Sequence, residues 1–216
     1  MLTLHTYFRS SAAFRVRIAL NYKGLAWQPA VVWLLDGEQS GDAYREVNPQ
    51  ALVPTLVEDG RPLTQSMAII EYLDETHPEP PLLAGSARDR ARIRALSQSI
   101  ACDIHPINNL RVLKYLKREL GQSQEAIDVW YQHWCHVGLA AYEQQLGDGG
   151  SGRFSHGDTV SMADVCLVPQ VFNAQRYKFD LARFPRLAAV FERCMALPAF
   201  EAAQPSRQPD ASRAAS

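Results

Sequence analysis

Hydrophobic and polar positions change period twice along the chain. Residues 2–8 form an apolar, strand-like run that ends at Arg9-Ser10-Ser11, and a helical pattern follows over residues 14–22. Residues 27–34 return to an extended, β-branched pattern, which completes a β-α-β unit before a Gly- and charge-rich loop. Two short strands at residues 55–58 and 62–63 flank Asp59-Gly60, a hairpin signal, and a helix begins at Ser66. His77 to Pro81, with three prolines, breaks that helix. From Arg88 the period is helical almost throughout, with segments near 88–118, 124–146, 162–177 and 184–195. The pattern predicts an α/β N-terminal domain over residues 1–83 and an all-α C-terminal helical bundle over residues 88–204. Residues 205–216 are rich in Ala, Ser and Pro and are expected to fray.

Composition narrows the function classes. The 216 residues are 47% hydrophobic with a net charge of −1, and Lys and Arg are dispersed, so no basic face for nucleic acid is expected. No apolar run reaches the ~18 residues that would cross a bilayer, and the N-terminus lacks a signal-peptide pattern, so no membrane association and a cytoplasmic location are expected. Cys102, Cys135, Cys166 and Cys194 stand singly in helix-like contexts and read as reduced core residues. His133, Cys135 and His136 lie close together without a second ligand group at suitable spacing, so no metal site is expected.

Candidate chemistry gathers at three junctions. Ser10 and Ser11 stand where a strand feeds a helix, and free backbone N–H groups with the positive end of the helix dipole stabilise an anion or a thiolate there. Ordinary helix capping accounts for a serine at this place equally. Val53-Pro54 precedes a strand; a cis bond there would turn the Val53 backbone outward, where a peptide-like ligand can add as a strand, whereas a simple edge proline is the alternative. Gln65-Ser66 opens a helix, so hydroxyl, amide and free N–H groups can receive a carboxylate, and again a cap would suffice.

In this order, the motifs resemble those of the cytosolic glutathione transferases, and most closely the zeta class with its maleylacetoacetate isomerases. The resemblance rests on Ser10-Ser11-Ala12-Ala13-Phe14-Arg15-Val16-Arg17-Ile18-Ala19-Leu20, on Asn48-Pro49 with Val53-Pro54-Thr55-Leu56, and on Gln65-Ser66-Met67-Ala68-Ile69-Ile70-Glu71-Tyr72-Leu73. Cys102-Asp103-Ile104-His105-Pro106-Ile107-Asn108-Asn109 and the Ser161–Asp164 box extend it to about residue 200. It implies a thioredoxin-like first domain that binds glutathione, with Pro54 cis, the Val53 backbone on the cysteinyl part, and Gln65 and Ser66 on the γ-glutamyl group. Ser10 carries over as the thiolate-stabilising serine, with Ser11 as its rival, and Gln50 and His105 as further glutathione contacts. Ala12 departs from the pattern, because many zeta enzymes have cysteine there.

The substrate side is read from arginines. Asn108, Arg111 and Tyr115 would share one face of a continuous helix through i, i+3 and i+7 spacing, bent by Pro106, with Asn108 in reach of glutathione. Arg176 ends a helical segment, where dipole compensation alone would also favour a cation. If Arg9, Arg111 and Arg176 converge, they hold a dianionic keto acid through charge-assisted bonds. Ser161 and Asp164 have capping-box spacing, and Trp130, Tyr131 and Trp134 read as core or interface aromatics.

The resemblance implies glutathione-dependent cis–trans isomerisation of a maleyl-keto acid, either maleylacetoacetate or maleylpyruvate, to its fumaryl isomer, with glutathione regenerated as coenzyme. Glutathione conjugation or dehalogenation of small α-halo acids uses the same thiolate, and a non-catalytic glutathione-binding protein would keep the fold alone. A homodimer is implied by the resemblance only.

Overall fold

The structure is a computed structural model and describes residues 1–214. The chain divides into two compact units, Met1–Pro81 with Ala196–Ser216, and Leu82–Met195. Its elements begin β1 (Leu2–Thr6), α1 (Ser11–Tyr22), β2 (Trp27–Val31), α2 (Asp42–Val47), β3 (Thr55–Glu58), β4 (Arg61–Thr64) and α3 (Ser66–Thr76). They continue α4 (Ala87–Gln98), α5 (Leu110–Arg118), α6 (Gln124–Gln145), α7 (Met162–Arg176), α8 (Pro185–Met195) and α9 (Pro198–Ala203).

In the first unit the sheet order is β2-β1-β3-β4, with β1 parallel to β2 and antiparallel to β3, and β3 antiparallel to β4. This is the β-α-β plus β-β-α arrangement of a thioredoxin-like domain. Pro29 and Pro62 both fall on edge strands, where a missing N–H costs no ladder bond to a central neighbour. Asp59 and Gly60 adopt φ of 49° and 77°, the double left-handed pair that a tight β3–β4 hairpin requires. Leu4, Ile18, Leu20, Leu56, Ile69 and Ile70 form the centre of the core.

Helix α1 is buried on nearly every side, including Arg15 and Arg17. A buried guanidinium needs acceptors for its donors, and Arg17 finds Ala203 O at 3.0 Å, Thr6 Oγ1 at 3.0 Å, Tyr7 O at 3.3 Å and Phe8 O at 3.0 Å. Asn21 donates to Ala199 O at 3.3 Å. These bonds tie α9 to α1, so residues 196–204 belong to the first unit rather than to the helical domain expected to run to 204. Lys23, with its side chain fully buried, binds Asp74 Oδ1, His77 O and Pro80 O and so caps the far end of α3.

The expected frayed tail is a second correction. Through residue 214 it folds back on its own unit: Gln208 and Asp210 are buried, Asp210 accepts from Phe8 N, and Arg213 pairs with Asp36. Its apolar content is low, as read, but its polar side chains have specific partners. Residues 215–216 lie outside the described residues.

The second unit is all helical, and α7 is its buried centre, packed against α4 and α8. Asp164 accepts from Ser161 N and Ser161 Oγ, the box read from the spacing, and also from Ser155 N, which anchors the preceding loop. The segment expected as one helix from 88 to 118 is interrupted. After α4 comes a π-helical turn, Ser99–Ile104, then a non-helical stretch, and α5 starts afresh with the Asn109 side chain accepting from Arg111 N. Pro106 has no N–H and its ring crowds the carbonyl four residues back, so here it ends the helix rather than bending it. No helix among the described residues is long and apolar enough to cross a membrane.

Candidate active site

Ser10 is the N-cap of α1, and its Oγ accepts from Ala13 N at 3.1 Å. The hydroxyl proton is not used in that bond, so Ser10 can cap and still donate to an anion. Ser10 N itself donates to Tyr7 O at 2.9 Å, which closes the turn that delivers the serine. Ser11 is the first residue of the helix and is buried. The backbone N–H groups of the first helical turn, at Ser11 and Ala12, have no intrahelical acceptor by the geometry of an α-helix and add positive potential beside Ser10. Arg9 is exposed, and its guanidinium lies 4.9 Å from the Phe8 ring centroid.

The Val53-Pro54 bond is cis, and Val53 packs against Tyr7, Phe8 and Trp33. Gln65 holds φ of 70°, in the left-handed region that a glutamine rarely adopts, immediately before α3. Gln65 Nε2 donates to Gln50 Oε1 at 2.8 Å, so the structure brings these two exposed amides together. Ser66, at the first position of α3, accepts from Arg15 Nη1 at 3.2 Å. Sequence reasoning missed Arg15 as a site residue. Its signal was present in a charged residue on the apolar face of a helix that is otherwise core.

A carboxylate brought to Ser66 would meet a helix N-terminus, a hydroxyl, and a buried guanidinium directly behind that hydroxyl. Each of these favours the anion, and the low-polarity surroundings of Arg15 strengthen its contribution. A thiol brought to Ser10 would meet a helix N-terminus and a hydroxyl at α1. The two helix N-termini are therefore suited to a carboxylate at Ser66 and an ionisable thiol at Ser10.

In the second unit, Arg176 is exposed at the end of α7, and its Nη1 donates to Asn173 Oδ1 at 2.9 Å. Asn173 Nδ2 in turn donates to Tyr131 Oη at 2.7 Å, and Tyr131 stacks on Tyr177 with centroids 3.7 Å apart. Burial pushes the Tyr131 hydroxyl well above its usual range, so it stays protonated. Asn173 and Tyr131 thus brace Arg176 from below, a pair that sequence spacing did not reveal.

Asn108 requires a correction. It does not share a helix with Arg111, because α5 begins after it; Arg111 and Tyr115 remain together on the exposed side of α5. Asn108 is buried, and its Nδ2 donates to Tyr131 O at 3.3 Å and Cys135 Sγ at 3.5 Å. Gln170 donates to the same sulfur, and burial pushes that thiol up to about 11. His105 pairs with Asn109 through Nε2 at 3.3 Å. Among the described residues, no group of three or more His, Cys, Asp or Glu side chains could hold a metal ion.

Comparison with known proteins places the family. Residues 4–81 match the glutathione S-transferase N-terminal domain family, and residues 136–193 match the glutathione S-transferase C-terminal domain family. A probable maleylacetoacetate isomerase of Vibrio cholerae is 47% identical over 97% of this chain and 98% of its own. The chain belongs to the zeta class of the glutathione S-transferases. A holo maleylpyruvate isomerase described as a bacterial zeta-class transferase superposes with a TM-score of 0.94 at 45% identity, covering 96% of this chain and 99% of the other. A maleylacetoacetate isomerase of Methylobacterium extorquens AM1, solved with malonate and glutathione, superposes with a TM-score of 0.94 at 41% identity over 97% of this chain and 99% of its own. The zeta-class fold thus extends over nearly the whole of this transferase.

Proposed function

We propose that this zeta-class transferase is a glutathione-dependent isomerase that converts a maleyl-keto acid, maleylacetoacetate or maleylpyruvate, into its fumaryl isomer. The observation that carries this is the pair of helix N-termini, one built around Ser10 and one around Ser66 with Arg15 behind it, within a chain whose full-length relatives are named for these two reactions. Glutathione, when bound, supplies a thiolate that can add to the conjugated cis double bond and leave again once the resulting single bond has rotated, so it is regenerated.

The protein's part is to hold and to orient. Ser66, Gln65 and the first turn of α3 receive the γ-glutamyl carboxylate, with Gln50 fixing the Gln65 amide. The Val53 backbone takes the cysteinyl portion. Ser10 donates its hydroxyl proton toward the sulfur, and the N–H groups of α1 add potential that favours the ionised form. Arg9 supplies charge for the substrate's carboxylates and for the enolate oxygen that gains negative charge during addition; in the second unit, Arg111 and Arg176 are exposed cations of the sign a dianionic substrate needs. Malonate, found with glutathione in the Methylobacterium relative, is a small dianion of the kind this reading requires. A homodimer and a cytoplasmic location belong to the same reading.

The test is turnover of freshly prepared maleylacetoacetate and maleylpyruvate with catalytic glutathione, following fumaryl product and free thiol together. The reading expects product with thiol conserved, and the faster substrate identifies the physiological one. Thiol consumed in step with product would instead make the protein a conjugating or dehalogenating transferase.

A further inference from the structure

The turn that delivers Ser10 is held from behind by the end of the chain. Backbone polar groups of Tyr7 and Phe8 find partners in the turn itself, in α1 and in the tail. Tyr7 O accepts from Ser10 N and from Arg17 Nη1, Phe8 O accepts from Arg17 Nη2, and Phe8 N donates to Asp210 Oδ2 at 2.9 Å. Asp210 lies 202 residues away in sequence and is itself buried, 6% exposed. Burying a carboxylate is costly unless it is paired, and Asp210 faces the positive charge of Arg17, whose guanidinium is anchored by Ala203 O as well.

The neighbouring tail residues continue the clasp. Ala211 packs against the Tyr7, Phe8 and Trp33 cluster, which Val53 also touches. Arg213 lies over the Trp33 ring at 4.5 Å and pairs with Asp36 at 2.9 Å and Glu38 at 3.5 Å. Trp33 N in turn donates to Glu38 Oε2 at 2.6 Å. The strap therefore crosses the loop that carries Ser10 and the aromatic cluster beneath Val53. Charged groups that bond to or face the Tyr7–Ser10 turn include Arg17 from α1, Asp210 from the tail and Arg9 within the turn.

The geometry points to Asp210 as a positioning residue: by accepting the Phe8 N–H it fixes the Tyr7–Ser10 turn, and through it the direction in which the Ser10 hydroxyl is offered to the glutathione sulfur. The inference rests on the role proposed above for Ser10. A strap that only added stability would, when cut, lower affinity for every glutathione derivative together and leave the thiol's ionisation alone. Positioning acts differently. The contacts at Gln65 and Ser66 stay intact, and the bond that Asp210 supplies acts on the turn that carries Ser10, the group at the sulfur.

The test compares wild type, Asp210→Ala and Asp210→Asn in the full chain by two measurements. The first is native-state hydrogen exchange at Phe8 and Ser10 without ligand. Asp210→Ala is expected to exchange at least about tenfold faster there, the loss of one buried hydrogen bond. The second is the thiolate absorbance of bound glutathione as a function of pH, set against affinity for S-methylglutathione, which has no thiol to ionise. In Asp210→Ala the thiol pKa rises by about one unit while S-methylglutathione binds within about twofold of wild type. Asp210→Asn keeps an acceptor for Phe8 N–H and restores both values toward wild type. If Asp210→Ala does not fold, Arg213→Ala, which releases the outer end of the strap, is expected to show the same signs at smaller size. Unchanged exchange and an unchanged thiol pKa in the folded variant overturn the inference, as does a proportional loss of both ligands. A wild-type protein that does not ionise glutathione overturns the Ser10 reading instead, and the exchange arm still decides whether Asp210 holds the turn.

Discussion

Arg15, buried within α1, donates from Nη1 to the hydroxyl of Ser66 at the first position of α3, 3.2 Å away and 51 residues later in sequence. A positive charge therefore stands directly behind the hydroxyl where the first unit can receive a carboxylate. Ser66→Ala removes the hydroxyl that accepts from this buried guanidinium. We expect glutathione affinity to fall by about tenfold and stability to fall by about 1–3 kcal/mol. Calorimetric titration and urea unfolding, run with and without glutathione, check both. A variant that keeps wild-type affinity would remove Ser66 from the site.

Capping and catalysis can be separated at Ser10. Ser10→Ala loses the bond to Ala13 N and is expected to cost about 1 kcal/mol of stability as well as activity. Ser10→Asn keeps a competent N-cap, so its stability should stay near wild type while turnover falls by about a hundredfold, the usual scale for losing a positioned donor to a developing or stored anion. Equal activity in Ser10→Asn and wild type, with Ser11→Ala inactive, would transfer the role to Ser11.

The Arg176–Asn173–Tyr131 chain makes a kinetic prediction. Asn173→Ala leaves Arg176 in place but takes away the amide that orients its guanidinium. The KM for the keto acid should rise about fivefold to tenfold while kcat changes little, since ground-state holding is what is lost. Steady-state kinetics decide this, and a fall in kcat at constant KM would place Asn173 in the chemical step.

Buried thiols predict an alkaline limb to stability. Cys135 is raised from its ordinary 9.0 to about 11 by burial, and Cys194 and the Tyr131 hydroxyl are raised in the same direction. Between those values the folded chain keeps a proton that the unfolded chain gives up. The contribution is fully present below the unfolded pKa and is lost as pH rises through the folded one, by up to about 1.4 kcal/mol per pH unit for each group. Urea midpoints between about pH 8 and about pH 11 should fall accordingly, and Cys135→Ala should flatten the slope. Native labelling with a thiol reagent should reach the exposed Cys102 and spare Cys135 and Cys194.

The two-domain order, the hairpin at Asp59-Gly60 and the serines at two helix starts were legible because they depend on short-range signals: periodicity, turn chemistry and caps. The zeta-class motifs are equally local, and they bring Ser10, Val53-Pro54 and Gln65-Ser66 into one reading from sequence alone. The expected helix over 88–118 failed for a reason that is also local in origin. Spacing alone could not tell whether Pro106 bends a helix or ends it, and a π-helical turn with a fresh cap at Asn109 settled that choice.

What the sequence by itself determined, then, is the alternation of elements and the chemical types at their junctions. Tertiary structure alone decided the partners that stand behind those junctions: Arg15 behind Ser66, Asn173 and Tyr131 behind Arg176, and Asp210 behind the turn before Ser10. Apolar patterning records which face is buried, but a buried charge is compatible with the fold only where distant groups complete its hydrogen bonds. Those groups come from other elements, at separations that no local period encodes. The tail shows this most plainly. Its composition reads as too polar to pack, yet Gln208, Asp210 and Arg213 are ordered by polar partners that the folded chain provides.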